Sequence, residues 1–164
     1  MTVELDAAAV QRAAALTLEN LAQLRAKPRP GSPPPVATDD TAAEVPFWGA
    51  LYGKLMMRAT GGLARAIAAR LFHISEPTLR QRQEALCLAA GAICGTMLAE
   101  LRDDKRSCQL ENTRIIENIK GYERLFGAPR LTAMVGCDEG TAELRVYFNT
   151  IDVASGMPPH GDAG

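Results

Sequence analysis

Apolar residues return in alternating four- and three-residue steps near the start of the chain: Val3, Ala7, Val10, Ala14, Thr17, Leu21 and Leu24. That spacing lines one stripe of a helix and predicts a first helix over residues 1–26, helical from about Val3. The stripe is rich in alanine, which favours helix but supplies little apolar bulk. Leu21 and Leu24 therefore mark a surface that needs a partner, either the chain's own core or a second copy. Residues 27–46 break the pattern with six prolines and one glycine, which reads as a semi-rigid linker.

From Phe47 to Ile74 a helical pattern resumes, with a break or bend expected at Gly61-Gly62. On a helical wheel Trp48, Leu51, Leu55, Ala59, Leu63, Ala66 and Ile67 gather on one side. Lys54, Arg58 and Arg65 fall together on the opposite side and form a candidate face for an anionic partner. Ser75 is placed as an N-cap with Pro77 in the first turn, opening a helix over 76–101. Its segment 85–99, ALCLAAGAICGTMLA, is apolar all round and reads as a buried central helix. Gly91 and Gly95 lie one turn apart on it, a low-relief surface for helix packing or dimerisation.

After a break or cap at Asp103-Asp104, Cys108, Ile115, Ile119, Tyr122 and Phe126 suggest a fourth helix over about 105–126, ended by Gly127 and Pro129. The period then changes to two. Leu131, Ala133 and Val135 alternate, and Ala142, Leu144, Val146 and Phe148 alternate again after a CDEG turn. These predict a β-hairpin over 130–149 with Gly140 at a positive-φ position. The tail at 154–164 is expected to be flexible. The fold expected is mainly α within the α+β class: about four helices around the central helix at 76–101, with the C-terminal hairpin beside them. Residues 47–153 then make up one helical core with its hairpin.

Composition adds limits. The 164 residues are 47% hydrophobic and 23% charged, which suits a packed domain. Net charge is −1, distributed as −2 over 1–46, +4 over 47–99 and −3 over 100–164, so an anionic partner should meet the middle third. Glu4 and Asp6 sit where a secretory signal would be basic. The longest uncharged run spans 15 residues, short of the roughly 18–20 a membrane span requires. A cytoplasmic protein without a membrane span is expected.

Chemistry-bearing motifs are sparse. The two histidines, His73 and His160, do not combine with Cys87, Cys94, Cys108 and Cys137 at metal-binding spacing. No phosphate-binding glycine loop or nucleophile elbow is present. The sequence thus nominates no catalytic residues, no cofactor and no metal, and leaves open only whether Cys108 or Cys137 is reactive. Cys87 and Cys94 are read as reduced thiols, because seven helical residues separate them by roughly 10 Å.

Ala68, Ala69, Phe72, His73, Ile74, Ser75, Pro77, Leu79 and Leu86 form a local pattern. Over 68–86 it resembles the helix-turn-helix of LysR-type transcriptional regulators. The resemblance implies a recognition helix that presents Thr78, Arg80, Gln81 and Arg82 to the major groove. Two functions follow as expectations. The first is a non-enzymatic protein-interaction module, an adaptor, chaperone or assembly subunit that binds a protein or itself as a homodimer. The alternative is a DNA-binding regulator using residues 68–86.

Overall fold

The computed structural model describes residues 5–49, 51–100 and 108–150. In chain order the elements are α1 (Ala7–Ala22), β1 (Lys27–Pro28), β2 (Thr41–Trp48), β3 (Leu51–Gly61), α2 (Leu63–Phe72) and α3 (Leu79–Ala99). They continue with β4 (Gln109–Leu110), β5 (Arg114–Ile116), α4 (Ile119–Phe126), β6 (Leu131–Cys137) and β7 (Gly140–Thr150). The expected tail at 154–164 and the Asp103-Asp104 break lie outside the described residues.

The strands form one antiparallel sheet of seven, in the order β1-β6-β7-β3-β2-β4, with β5 also paired to β2. β3 and β7 run beside each other along their whole length, from Leu51↔Thr150 to Gly61↔Gly140. α1, α2 and α3 cover one face, where Val45, Phe47, Leu55, Met57, Ala133, Val135, Leu144 and Val146 meet Val10, Leu18, Ile67, Leu86 and Ile93. α4 lies on the other face, with Ile119 and Tyr122 against Ala42 and Met56. At the outer edge β1 is blunted by Pro28, which has no N–H to offer another strand.

This corrects the mainly helical expectation. The fold is α+β with the sheet at its centre, and residues 41–61 are two paired strands where the helix over 47–74 was expected to begin. The reason is double-sided burial. Ala42, Ala43, Glu44 and Val45 are all buried on β2, as are Leu55, Met56, Met57 and Arg58 on β3. A strand covered on both faces loses its apolar–polar alternation, and apolar positions three or four apart then imitate a helix. Only from Leu63 does the helix form, after a reversal at Gly61 (φ +64).

The helix expected at 76–101 runs from Leu79 to Ala99 and is a cover, with the sheet in the central place assigned to it. Thr78 caps it in the role given to Ser75: its hydroxyl accepts from Gln81 N, and the Gln81 side chain accepts from Thr78 N. One face buries Ala85, Leu86, Ala89, Ala90, Ile93, Cys94, Met97 and Leu98, while Leu88 is 53% exposed. Of the helix expected over 105–126, the described residues 108–126 are helical only at their end, after the short strands β4 and β5. Asn118 caps α4, which stops where Gly127 (φ +67) donates to Glu123 O.

The hairpin stands as expected, with β6 and β7 joined around Asp138 and Glu139. Gly140 is not at positive φ, however. A Cβ there would overlap Thr60 O, so the position needs glycine for close approach. Gly53 is the same kind of site, where a Cβ would overlap Tyr147 O.

Candidate functional site

Two surfaces gather polar groups, one on each side of the sheet. On the α4 side, even-numbered positions of β3 and odd-numbered positions of β7 point together, because paired residues share a face. Arg58, whose side chain is 1% exposed, donates from Nε to Glu143 Oε1 at 2.8 Å and from Nη1 to Asp40 Oδ2 at 2.7 Å. Its Nη2 donates to Pro34 O at 2.6 Å, so the guanidinium also holds the proline-rich segment to the sheet. Arg145 Nε donates to Glu143 Oε2 at 2.9 Å, and its Nη1 stands 3.4 Å from Glu123 Oε2. Beside them Glu44 accepts from Tyr122 at 3.0 Å and from Arg114, and pairs with Lys54 Nζ at 3.1 Å. The Lys54 ammonium lies over the Phe126 ring.

Burial pushes the Glu44 carboxyl up, but hydrogen bonds from Arg114, Lys54 and Tyr122 outweigh it and leave the group below the ordinary carboxylate range. Burial pushes Lys54 down, opposed by Glu44. The Tyr122 phenol is raised by burial and by the adjacent Glu44 charge. Carboxylates and cations satisfy each other here, so the cluster binds segments of the fold together and offers no free acid or base.

The second surface is the outside of α3. The left-handed C-cap His73 (φ +57) ends α2 and turns the chain toward α3. Phe72, Arg80, Glu84, Cys87, Leu88 and Thr113 border an open cavity of about 600 Å³ there. Leu79 and Leu88 project beside it, 57% and 53% exposed. The Cys87 thiol is pushed up by burial and by the nearby Glu84 carboxylate, so it stays protonated at neutral pH and is a poor nucleophile. Cys94 is raised by burial in the core. Among the described residues no cluster of His, Cys, Asp and Glu has the form of a metal site.

The residues singled out from sequence are dispersed. Lys54 and Arg58 stand on one face of β3 in the ion cluster, whereas Arg65 on α2 is exposed and 3.2 Å from Glu76. Leu24 is buried and Leu21 packs against the same core. Gly91 and Gly95 lie where the β4–β5 segment crosses α3: Cβ atoms there would stand 3.4 Å from Thr113 Oγ1 and 3.6 Å from Leu110 Cδ1. Thr78 and Gln81 are occupied by the capping box, Arg80 borders the cavity, and Arg82 is half-buried.

Glu143 and Arg145 went unnoticed in the sequence, although two charges two apart on a strand signal a shared face. The exposed Leu88 went unnoticed because 85–99 reads as apolar all round. Among the described residues no helix is long and apolar enough to cross a membrane.

No family model matches the chain, and no curated protein matches it by sequence. Solved structures do share its fold. The chemotaxis protein CheX from Vibrio vulnificus superposes with a TM-score of 0.68 at 15% identity, over 87% of this chain and 95% of that one. CheX from Borrelia burgdorferi, solved as a complex with CheY, BeF3 and Mg²⁺, gives 0.66 at 14% identity, over 89% and 99%. FliY from Thermotoga maritima gives 0.51 at 15% identity, over 85% and 83%.

These likenesses are of fold, and they overturn the LysR resemblance over 68–86. The helix, turn and capped helix there follow from ordinary capping chemistry, and the second helix is laid on a sheet.

Proposed function

We infer that this chain is a protein-interaction module of a chemotaxis-type signalling system, acting in the cytoplasm, and that the outer face of α3 docks a CheY-like partner. The observation that carries this is an exposed part of the α3 face, of mixed character among the described residues: Leu79 and Leu88 beside Arg80, Gln83 and Glu84. Apolar anchors on a rigid helix within a polar rim are the anatomy of a protein interface. The Borrelia CheX structure supports the choice of partner, since that protein of like fold was solved bound to CheY.

The test is calorimetric titration of the chain with a CheY-type protein from the same organism, with and without beryllofluoride and Mg²⁺. Saturable binding that Leu88→Glu weakens by about tenfold or more supports the reading. Binding in neither state overturns it. Binding indifferent to Leu88→Glu overturns the assigned face, as does sedimentation showing that a second copy already covers it.

One observation favours a second reading on the same face. Glu84 and Gln83 border the cavity, and a carboxylate beside an amide can orient water at a phosphoryl group. Docking would then hasten loss of phosphate from the partner. Glu84→Gln would keep the affinity and abolish that acceleration; no acceleration by the unmodified chain removes this reading and leaves the first intact.

A further inference from the structure

At the edge of the sheet away from α3's outer face, the chain leaves α1 and runs through β1 beside β6. Arg25, Lys27 and Arg29 alternate along this extended run, and all three line one cavity of about 450 Å³ with Gly136, Cys137 and Asp138. Two residues of extended chain advance about 6.6–6.8 Å, so the backbone positions that carry the three cations are set out over roughly 13 Å, and the side chains turn toward one cavity.

Arg29 is held in place. Its N–H donates to Met134 O at 2.9 Å, and its Nη1 donates to Thr141 Oγ1 at 2.6 Å. Its side chain lies across Gly136, where an added Cβ would come within 3.1 Å of Arg29 Cδ. A neutral hydroxyl thus orients the guanidinium and leaves its charge uncompensated. Among the described residues no carboxylate lies within 4.0 Å of Arg25, Lys27 or Arg29. The neighbouring cation, Arg70, is engaged by Gln23 O at 3.0 Å and by Glu139 at 3.7 Å. Among the described residues that line the cavity, Asp138 is the one acid against these three cations, a local excess of positive charge.

We propose that the cavity lined by Arg25, Lys27 and Arg29 binds a small polyphosphate-bearing ligand, with Arg29 as the pre-oriented anchor. Three cations set out along one run offer a partner for each phosphoryl group of a linked chain, with charge-assisted hydrogen bonds to each. The volume falls within the roughly 300–1,000 Å³ of small-molecule sites. Arg29 also borders the adjoining cleft of about 630 Å³, where the carboxylates of Glu123 and Glu143 are both paired to Arg145, which leaves room for whatever the phosphates are attached to.

The probes are inorganic tripolyphosphate and ATP, titrated into the intact chain by calorimetry at two salt concentrations. Saturable tripolyphosphate binding that weakens as salt rises is expected. Arg29→Ala should weaken it by about tenfold, and Thr141→Val, which keeps every cation but removes the brace, by about threefold. Equal affinity for the two probes identifies an inorganic polyphosphate site; tighter ATP binding identifies a nucleotide site. Both outcomes support the proposal.

Thermal melts of both variants, superimposable on the parent, tie the losses to the site. The proposal is overturned if tripolyphosphate shows no saturable binding at low salt. It is equally overturned if both variants melt normally and bind it undiminished, or if Arg29→Ala weakens only a protein partner.

Discussion

Replacing Arg58 by methionine tests whether the ion cluster on the α4 face holds the proline-rich segment to the sheet. The guanidinium is the largest fully buried side chain among the described residues and makes hydrogen bonds to Glu143, Asp40 and Pro34. Methionine keeps much of the volume and leaves Asp40, 2% exposed, without its cation; Glu143 retains Arg145. Removing one partner of a buried pair costs about 3–5 kcal/mol, because the remaining charge stays desolvated. For a domain of this size each kcal/mol shifts Tm by about 2–4 °C, so a fall of roughly 6–20 °C is expected.

Adding Asp40→Asn to Arg58→Met should return part of that loss, since an amide is cheaper to bury than an unpaired carboxylate. Asp40 Oδ2 also accepts from Ala37 N at 2.9 Å, and Asp40 N donates to Ala37 O at 3.1 Å. Hydrogen exchange at these two amides should therefore accelerate in Arg58→Met ahead of amides in β7. Calorimetric melting and amide exchange are the assays. A Tm within 2 °C of the parent, given that roughly 2–4 °C answers to one kcal/mol, would refute the reasoning. So would a double variant less stable than Arg58→Met alone.

Glu44 is held below the ordinary carboxylate range, so it contributes stability that is present above its unfolded pKa of about 4.3 and is lost as pH falls through the folded value. Urea midpoints should drop in acid for the parent, while Glu44→Gln starts lower at pH 7 and loses less over the same interval. Gly53→Ala should destabilise the chain by about 3 kcal/mol or leave it insoluble, because the new methyl meets the Tyr147 carbonyl in a paired strand; a soluble variant with unchanged denaturation counts against the close approach. The raised Cys87 thiol should alkylate more slowly than free cysteine at neutral pH, and Glu84→Gln should quicken it, followed by mass spectrometry. Labelling faster than free cysteine would contradict this environment.

Local signals are legible in the sequence where they are undiluted. The β6–β7 hairpin alternates cleanly in sequence because its helix-facing residues are apolar while its other face carries Thr132, Glu143 and Arg145. The first helix, the reversal at Gly61-Gly62 and the stop at Gly127 likewise come from nearby residues. By contrast, 41–61 concealed two strands because Ala42, Met56 and Ile119 cover the face that would otherwise have been polar. Lys54, Arg58 and Arg65 were legible as charge, but the common face expected of them is not what the fold makes: Lys54 and Arg58 pair within the sheet and Arg65 stands apart on α2. Arg58 and Lys54 find Glu143, Asp40 and Glu44 only when distant strands and the proline-rich segment come together.

α3 shows the same boundary. Its composition determined that one side would be buried, and alanine and glycine determined that the sheet and the β4–β5 segment could approach closely. Only the tertiary structure decided that, among the described residues, Leu88 stays exposed, with Glu84 and Cys87 beside it on the wall of a cavity. The sequence by itself determined helix starts and stops, one hairpin and the density of apolar residues, all set by groups a few positions apart. Which faces those apolar residues cover, and which charges neutralise one another, depends on strand pairings between residues far apart in the chain, as between Lys27 and Gly136 of β1 and β6. Those pairings are selected by the burial of the whole sheet at once, a quantity that no short window of sequence contains.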